Sequence, residues 1–282
     1  MSASEHERGP ITVRAHAKIN LFLEVFGRRP DGYHDVATAL QAISLADRLV
    51  CTYRRSPHLT LSVSPPNPDL ERDDNLVLKA ARALRAYTGV IAGAAVDLEK
   101  RIPTAAGMGG GSADAAAALI ALNLLWHLRL RRPELLSIAA SLGSDVPYFV
   151  QGHGTALCEG RGERVTALPP SMARDLVLIT LPIPVTTAVI FQSLEPADIR
   201  LRRPGNALQA PAERLFPKIG EARRLLEGIT QRSVSMSGSG PTLYCLGSSP
   251  GDAEAIAVLI QNAGFQAQAL STVSHPMVIE QR

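Results

Sequence analysis

Apolar and polar positions alternate along residues 11–64 in a way that predicts strands. ITVRA (11–15), INLFLEV (19–25), the stretch 36–45, RLVCTY (48–53) and LTLSV (59–63) alternate or carry β-branched enrichment. RRPDGY (28–33) is a turn signal inside that run, and SPPNPD (64–69) is a proline-rich corner. The period then changes. Leu76, Ala80, Ala83, Leu84 and Tyr87 share one face at helical spacing, which predicts an amphipathic helix over 75–87. AVDLEK (95–100) reads as a strand, followed by a glycine-rich turn and an Ala/Leu helix over 113–128. A shorter helix runs from Pro133 to Gly143, proline at its start and glycine at its end. Strands near 154–159 and 175–181 follow, then helices at 186–193 and 218–230. The pattern closes with strands at 233–236 and 242–246, a helix at 251–263, and strands near 266–270 and 276–279. Strands precede helices without strict alternation, so the expected fold class is α+β in two domains, 1–165 and 166–282. GRGERV (160–165) and LPPS (168–171) mark that boundary.

Composition narrows the function classes. Apolar residues make up 46% of 282 residues but aromatics only 4%, so the core is aliphatic. A net charge of +3 without a polybasic segment gives no case for nucleic acid or an anionic membrane. Cys51, Cys158 and Cys245 form no CxxC pair and no Cys/His cluster for zinc; they read as buried thiols of a reducing compartment. No apolar run approaches a membrane span, and the first residues lack a signal-peptide core, so a cytoplasmic protein is expected.

The chemistry concentrates in PTAAGMGGGSADAAAAL (103–119). Four glycines at Gly107, Gly109, Gly110 and Gly111 precede a strong helix former. Glycine lets backbone approach a ligand, and free N–H groups at a helix start make an anion site. Ser112 can cap the helix or donate to a phosphate oxygen, and Asp114 suits the positive helix end. No Lys-Ser or Lys-Thr follows the glycines, so this is not a Walker A loop, nor does it fit GxGxxG. A tight turn without a ligand remains the alternative.

GMGGGSADAA (107–116) resembles the phosphate-binding motif of the GHMP kinases. AHAKINLFLEV (15–25) is similar to that family's N-terminal motif, with His16 in place of the usual proline, and MSGSGPTLY (236–244) resembles its C-terminal glycine motif. RRPDGYHDVATALQAISLADRL (28–49), DDNLVLKAARAL (73–84) and LGSDVPYFVQGHGTALCEGRGE (142–163) resemble the branch whose acceptor alcohol carries a cytidine diphosphate group. The resemblance implies a two-domain GHMP kinase fold, with the active site in the inter-domain cleft. It also implies ATP as phosphoryl donor, with Mg²⁺, and a monomer or weak homodimer.

Residue by residue, the resemblance implies Lys18 and Asp145 as the catalytic pair. Alone, Lys18 would read as a solvent-facing strand lysine and Asp145 as a helix cap. It implies nucleotide contacts at Pro103, Ala105, Ala106, Gly107, Met108, Gly109, Gly110, Gly111, Ser112, Ala113 and Asp114. Asn75, Leu76 and Lys100 match positions lining the adenine pocket, although Asn75 also reads as a helix N-cap. Acceptor contacts are implied at Asn20, Tyr33, His34, Thr187, Phe191, Gly238, Ser239 and Gly240, with the Tyr33 and Phe191 rings stacking on the cytosine. Without the resemblance these would be packing residues, a local asparagine and a hairpin turn. The sequence names no Mg²⁺ ligand beyond Ser112 as a candidate. Trp126 reads as core with Leu119 and Leu122. Arg129, Arg131 and Arg132, like Arg200, Arg202 and Arg203, read as solvated positions. A GHMP kinase with another acceptor (mevalonate, homoserine or a sugar) and a non-catalytic nucleotide-binding protein of the same fold stay open.

Overall fold

Two long strands carry the fold. In the computed structural model, which describes residues 9–169, 174–199 and 205–281, ITVRA and INLFLEV run on as a single strand β1 (Ile11–Arg28). The stretch 36–45 and RLVCTY likewise fuse into β2 (His34–Arg54). The two pair antiparallel from Ile11–Cys51 to Arg28–His34. Register shifts at His16/Lys18, Asn20/Phe22 and Val25/Gly27 re-phase the alternation, so one bent strand reads in sequence as two.

Around this ribbon a seven-stranded sheet assembles. β3 (Leu59–Ser64) lies parallel to β4 (Gly93–Glu99), and β4 pairs with one half of β2. β5 (Thr155–Gly160) pairs with the other half of β2 and with β6 (Arg164–Ala167). GRGERV is therefore the β5–β6 hairpin and not an interruption of structure. β11 (Met277–Gln281) returns from the far end of the chain to pair with β1.

One face of this sheet is covered by α1 (Leu76–Thr88), α2 (Gly110–Leu125), α3 (Arg132–Leu142) and α4 (Val146–Gln151). α2 is mostly apolar, and its Ala113–Leu119 run is buried on every side; its alanines let neighbours approach closely. Trp126 belongs to this core, its indole N–H donating to the Gly93 carbonyl at 3.1 Å, while Arg129, Arg131 and Arg132 are exposed. α4 escapes sequence reading because a short fully apolar run carries no period to separate helix from strand.

The second sheet has the order β10-β7-β9-β8, made of β7 (Asp175–Thr180), β8 (Ser235–Met236), β9 (Leu243–Leu246) and β10 (Gln266–Ser271). Its core is shared with α8 (Pro217–Thr230) and α9 (Pro250–Asn262), through Leu226, Ile256 and Ile260 against Val177 and Ile179. Three short helices, α5 (Thr187–Gln192), α6 (Pro196–Ile199) and α7 (Gln209–Leu215), fill the connection. Arg200, Arg202 and Arg203 lie outside the described residues. The two layers meet in an apolar seam where Ile19, Ile43, Ile102 and Met108 pack with Leu176, Leu178 and Tyr244. All three cysteines are buried free thiols, and among the described residues no helix is long and apolar enough to cross a membrane.

Candidate active site

Lys18 leaves β1 only 4% exposed. Its ammonium donates to Asn20 Oδ1 at 2.8 Å and to the Gly107 carbonyl at 3.0 Å. The Asp145 carboxylate stands 3.5 Å away. The Lys18 backbone N–H also donates to the Met108 carbonyl at 3.1 Å, so the strand is stitched directly to the glycine turn. Asp145 occupies the N-cap position of α4 yet makes no capping bond. Its side chain, 34% exposed, faces Lys18 and solvent instead.

The turn itself depends on two left-handed glycines. Gly107 has φ +74°, and a Cβ there would lie 2.3 Å from the Ser237 carbonyl oxygen. Gly109 has φ +69°, and a Cβ there would meet Lys18 Cε at 3.1 Å and Phe149 at 3.2 Å. The glycines thus serve close approach to β1 and to the 236–240 loop as much as to any ligand. α2 begins at Gly110, three residues earlier than its composition suggests, because packing overrides glycine's weak helix propensity. Ser112 therefore sits inside the first turn and caps nothing, and Asp114 falls in the second turn, away from the helix end. The Ala113 N–H is bonded to the Gly109 carbonyl at 2.9 Å, which leaves the preceding N–H groups of Gly110, Gly111 and Ser112 without intrahelical partners.

The expected nucleotide residues divide by burial. Pro103, Ala105, Gly107, Gly109, Gly110, Gly111 and Ser112 have accessible surface, whereas the side chains of Ala106, Met108, Ala113 and Asp114 are buried. Asn75 caps α1, accepting from the Val77 N–H at 2.8 Å, and Leu76 comes within 3.7 Å of a Cβ placed on Gly111. Lys100 is engaged internally. Its ammonium bridges Asp47 and Asp114, the latter at 2.8 Å. Burial would lower the Lys100 pKa, but the two carboxylates outweigh it and raise the value. Burial pushes the Asp114 carboxyl up to about 7, with Lys100 opposing the rise and Asp47 reinforcing it.

The third motif folds over the first two. Gly238 lies so close that a Cβ would come 2.9 Å from the Gly107 carbonyl oxygen and 3.4 Å from the Lys18 ammonium. Ser237 Oγ donates to that same carbonyl at 3.0 Å, and the Ser239 and Thr187 hydroxyls share a 2.8 Å hydrogen bond. Asn20 is fixed from both sides, its amide donating to Thr38 Oγ1 at 2.8 Å and its carbonyl accepting from Tyr244. Ser237 passes unnoticed in sequence because a motif serine beside glycines has no spacing of its own.

Of the expected cytosine residues, His34 and Phe191 are in ring contact, centroids 5.3 Å apart and planes tilted by 30°. Tyr33, half exposed, lies beneath the Arg161 guanidinium at 5.0 Å. Arg161 carries no sequence signal beyond its place in GRGERV. Burial, and then the charge of Arg28, lower the His34 pKa, so its imidazole is neutral at pH 7. A cavity of about 570 Å³ lies elsewhere, bordered by Ile19, Leu21, Arg174, Arg232 and Tyr244; neither Lys18, Asp145 nor the glycine turn lines it.

The chain matches the family model described as GHMP kinases N terminal domain over residues 75–153 and that described as GHMP kinases C terminal over 193–264. A relative from Pelotomaculum thermopropionicum, named 4-diphosphocytidyl-2-C-methyl-D-erythritol kinase, is 42% identical over 84% of this chain and 88% of its own length. A crystal structure of a 4-(cytidine 5'-diphospho)-2C-methyl-D-erythritol kinase superposes with a TM-score of 0.80 at 33% identity, covering 93% of this chain and 98% of the other. A homoserine kinase from Cytophaga hutchinsonii shares the fold at 14% identity, with a TM-score of 0.73 over 99% of each chain. With both halves matched by its models and a relative this similar along most of its length, the chain belongs to the GHMP kinase family.

Proposed function

We propose that the chain is an ATP-dependent kinase that phosphorylates the 2-hydroxyl of 4-diphosphocytidyl-2-C-methyl-D-erythritol in the non-mevalonate route to isoprenoid precursors. The observation that carries the reading is the Lys18–Asp145 pair at 3.5 Å, set against a glycine turn whose helix start offers free N–H groups. In this reading the N–H groups of Gly110, Gly111 and Ser112 receive phosphate oxygens. The acceptor hydroxyl sits at Asp145, which orients it and takes its proton as the oxygen bonds to the γ-phosphorus and ADP departs. Lys18 stabilises charge on the attacking and transferring oxygens.

Mg²⁺ supplies charge neutralisation on the phosphates. The residues present fit an ion that arrives on the nucleotide. Among the described residues no group of three His, Cys, Asp or Glu forms a cage, and Ser112 offers a hydroxyl in the first helical turn. His34, Phe191 and Tyr33 form the cytosine end, with the neutral His34 imidazole supplying the directional hydrogen bond. The reading keeps an N-terminal ATP-binding domain over 1–165 and a C-terminal GHMP kinase domain over 166–282, with acceptor residues from both, and a cytoplasmic setting in which the buried thiols stay reduced.

A coupled ADP-release assay across acceptor alcohols tests it. Turnover is expected with the cytidine diphosphate substrate and not with mevalonate, homoserine, a sugar or free methylerythritol. Comparable turnover with free methylerythritol would overturn the cytosine assignment.

A further inference from the structure

The β5–β6 turn reaches both ends of the proposed acceptor site. β5 pairs with the start of β2 in the register Val36–Gly160, which brings the turn beside Tyr33 and His34. The Glu163 carboxylate closes it, accepting from the Arg161 N–H at 2.6 Å. Gly162, with φ +114°, lies against the connection between α3 and α4, where a Cβ would stand 3.5 Å from Ser144 Cβ. Ser144 immediately precedes Asp145. From the same turn the Arg161 guanidinium lies 5.0 Å from the Tyr33 ring centroid. One turn therefore touches the base end through Arg161 and the neighbour of Asp145 through Gly162.

An acceptor with its cytosine at Tyr33 and its hydroxyl at Asp145 must lay its diphosphate between them, past this turn. We propose that Arg161 is a specificity-determining residue that binds this diphosphate. The inference rests on the acceptor reading given above. A guanidinium presents planar N–H donors that match phosphate oxygens in pairs. Resting against an aromatic ring, it keeps those donors available and gives up part of its rotamer freedom before the ligand arrives. Tyr33 then serves twice, as a platform for the base and as a rest for the cation beside it.

The other cations nearby are committed or differently placed. Lys18 is shared among Asn20, the Gly107 carbonyl and Asp145. Arg29 is held by Asp31 at 3.1 Å and by Asp35 at 2.8 Å. Arg28 is exposed at the end of β1, opposite His34. Arg161 differs from these. Its side chain is 29% exposed, and its ion-pair partner among the described residues is Glu163, at a long 4.0 Å. That carboxylate is already engaged by the Arg161 backbone N–H, and Asp31, which also feels the Arg161 charge, is bonded to Arg29. An incoming diphosphate therefore displaces little to gain the guanidinium.

The test is steady-state kinetics of wild type, Arg161→Ala, Arg161→Lys and Arg28→Ala, with cytidine and cytidine diphosphate as inhibitors competing with the acceptor at saturating ATP. In Arg161→Ala the Michaelis constant for the acceptor is expected to rise roughly 10- to 100-fold, the loss of a charge-assisted contact. The kcat and the Michaelis constant for ATP should barely move. Inhibition by cytidine diphosphate should weaken by a similar factor and inhibition by cytidine far less. Arg161→Lys keeps the charge without the fork, so it should fall between. Equal weakening of the two inhibitors would make Arg161 a prop for Tyr33 and overturn the proposal. So would an equal loss in Arg28→Ala, which would show a general field and not a contact. If Arg161→Ala fails to fold, Arg161→Lys decides, because an unchanged ratio between the two inhibitors sinks the idea. Wild type inhibited by neither compound would instead overturn the cytosine reading itself.

Discussion

Lys18 holds three polar partners on a single buried ammonium, an arrangement in which each partner also fixes the others. An unpaired buried ammonium is costly, so Asn20, the Gly107 carbonyl and Asp145 stabilise the charge while aiming it. Asp145→Asn keeps the outline and removes the negative charge. Steady-state kinetics should show kcat reduced by ~10²–10⁴-fold, the usual size of an acid/base contribution, with nucleotide affinity preserved. A kcat within a few-fold of wild type would remove Asp145 from the chemistry. The pairing of Lys18 with Asp145 was legible because each sits in a motif with a recognisable neighbourhood. Asp47 was not. In SLADRL it looks like an ordinary strand-end aspartate, and its lysine partner lies 53 positions away. Composition starts the helix at Ala113 and so puts Asp114 at its end; packing starts it at Gly110 and moves Asp114 inward.

At the scale of the element, the glycine turn makes two demands that substitutions separate. Gly109→Val places a branched side chain at positive φ against Lys18 and Phe149, so it should disturb the proposed catalytic lysine as well as the proposed phosphate site. Both ATP affinity and kcat should fall. Gly111→Ala adds a Cβ that meets Leu76 at an ordinary 3.7 Å. Thermal stability should therefore hold, and any rise in the Michaelis constant for ATP reports phosphate contact alone. A Gly111→Ala protein that melts early would contradict this packing. At the far end of the ribbon, register shifts in β1 bend it between Lys18 and the His34 turn. Phe191→Ala on α5 removes a ring that faces His34, a loss worth ~1–3 kcal/mol for a base stack. The Michaelis constant for the acceptor should rise roughly 5–150-fold while that for ATP barely moves. Unchanged acceptor affinity would return Phe191 to packing. Strand and helix types were mostly legible from period; α4 was not, because its short apolar run carries none, and the bulges and the glycine start of α2 were not, because packing overrides local preference there.

Across the whole molecule, the seam of Ile19, Ile43, Ile102 and Met108 against Leu176, Leu178 and Tyr244 ties the two layers together. Leu178→Ala should cost ~2–5 kcal/mol, and denaturant unfolding should remain one transition, because opening the seam exposes buried apolar side chains of both layers at once. Two separated transitions would show that the layers unfold independently. The α+β character could be read from the order of periods. The return of β11 could not, because Met277–Gln281 is an unremarkable strand whose partner stands at the opposite end of the sequence. That return has a consequence for how the protein is made. During translation β1 emerges early and pairs with β2, but its other edge waits for residues made only after the second sheet. At cellular elongation rates that interval is roughly 10–50 s, during which an apolar strand edge is open to other nascent chains. Emergence of Met277–Gln281, rather than completion of the motifs, is then the event that covers the Thr12–Ala15 edge of β1.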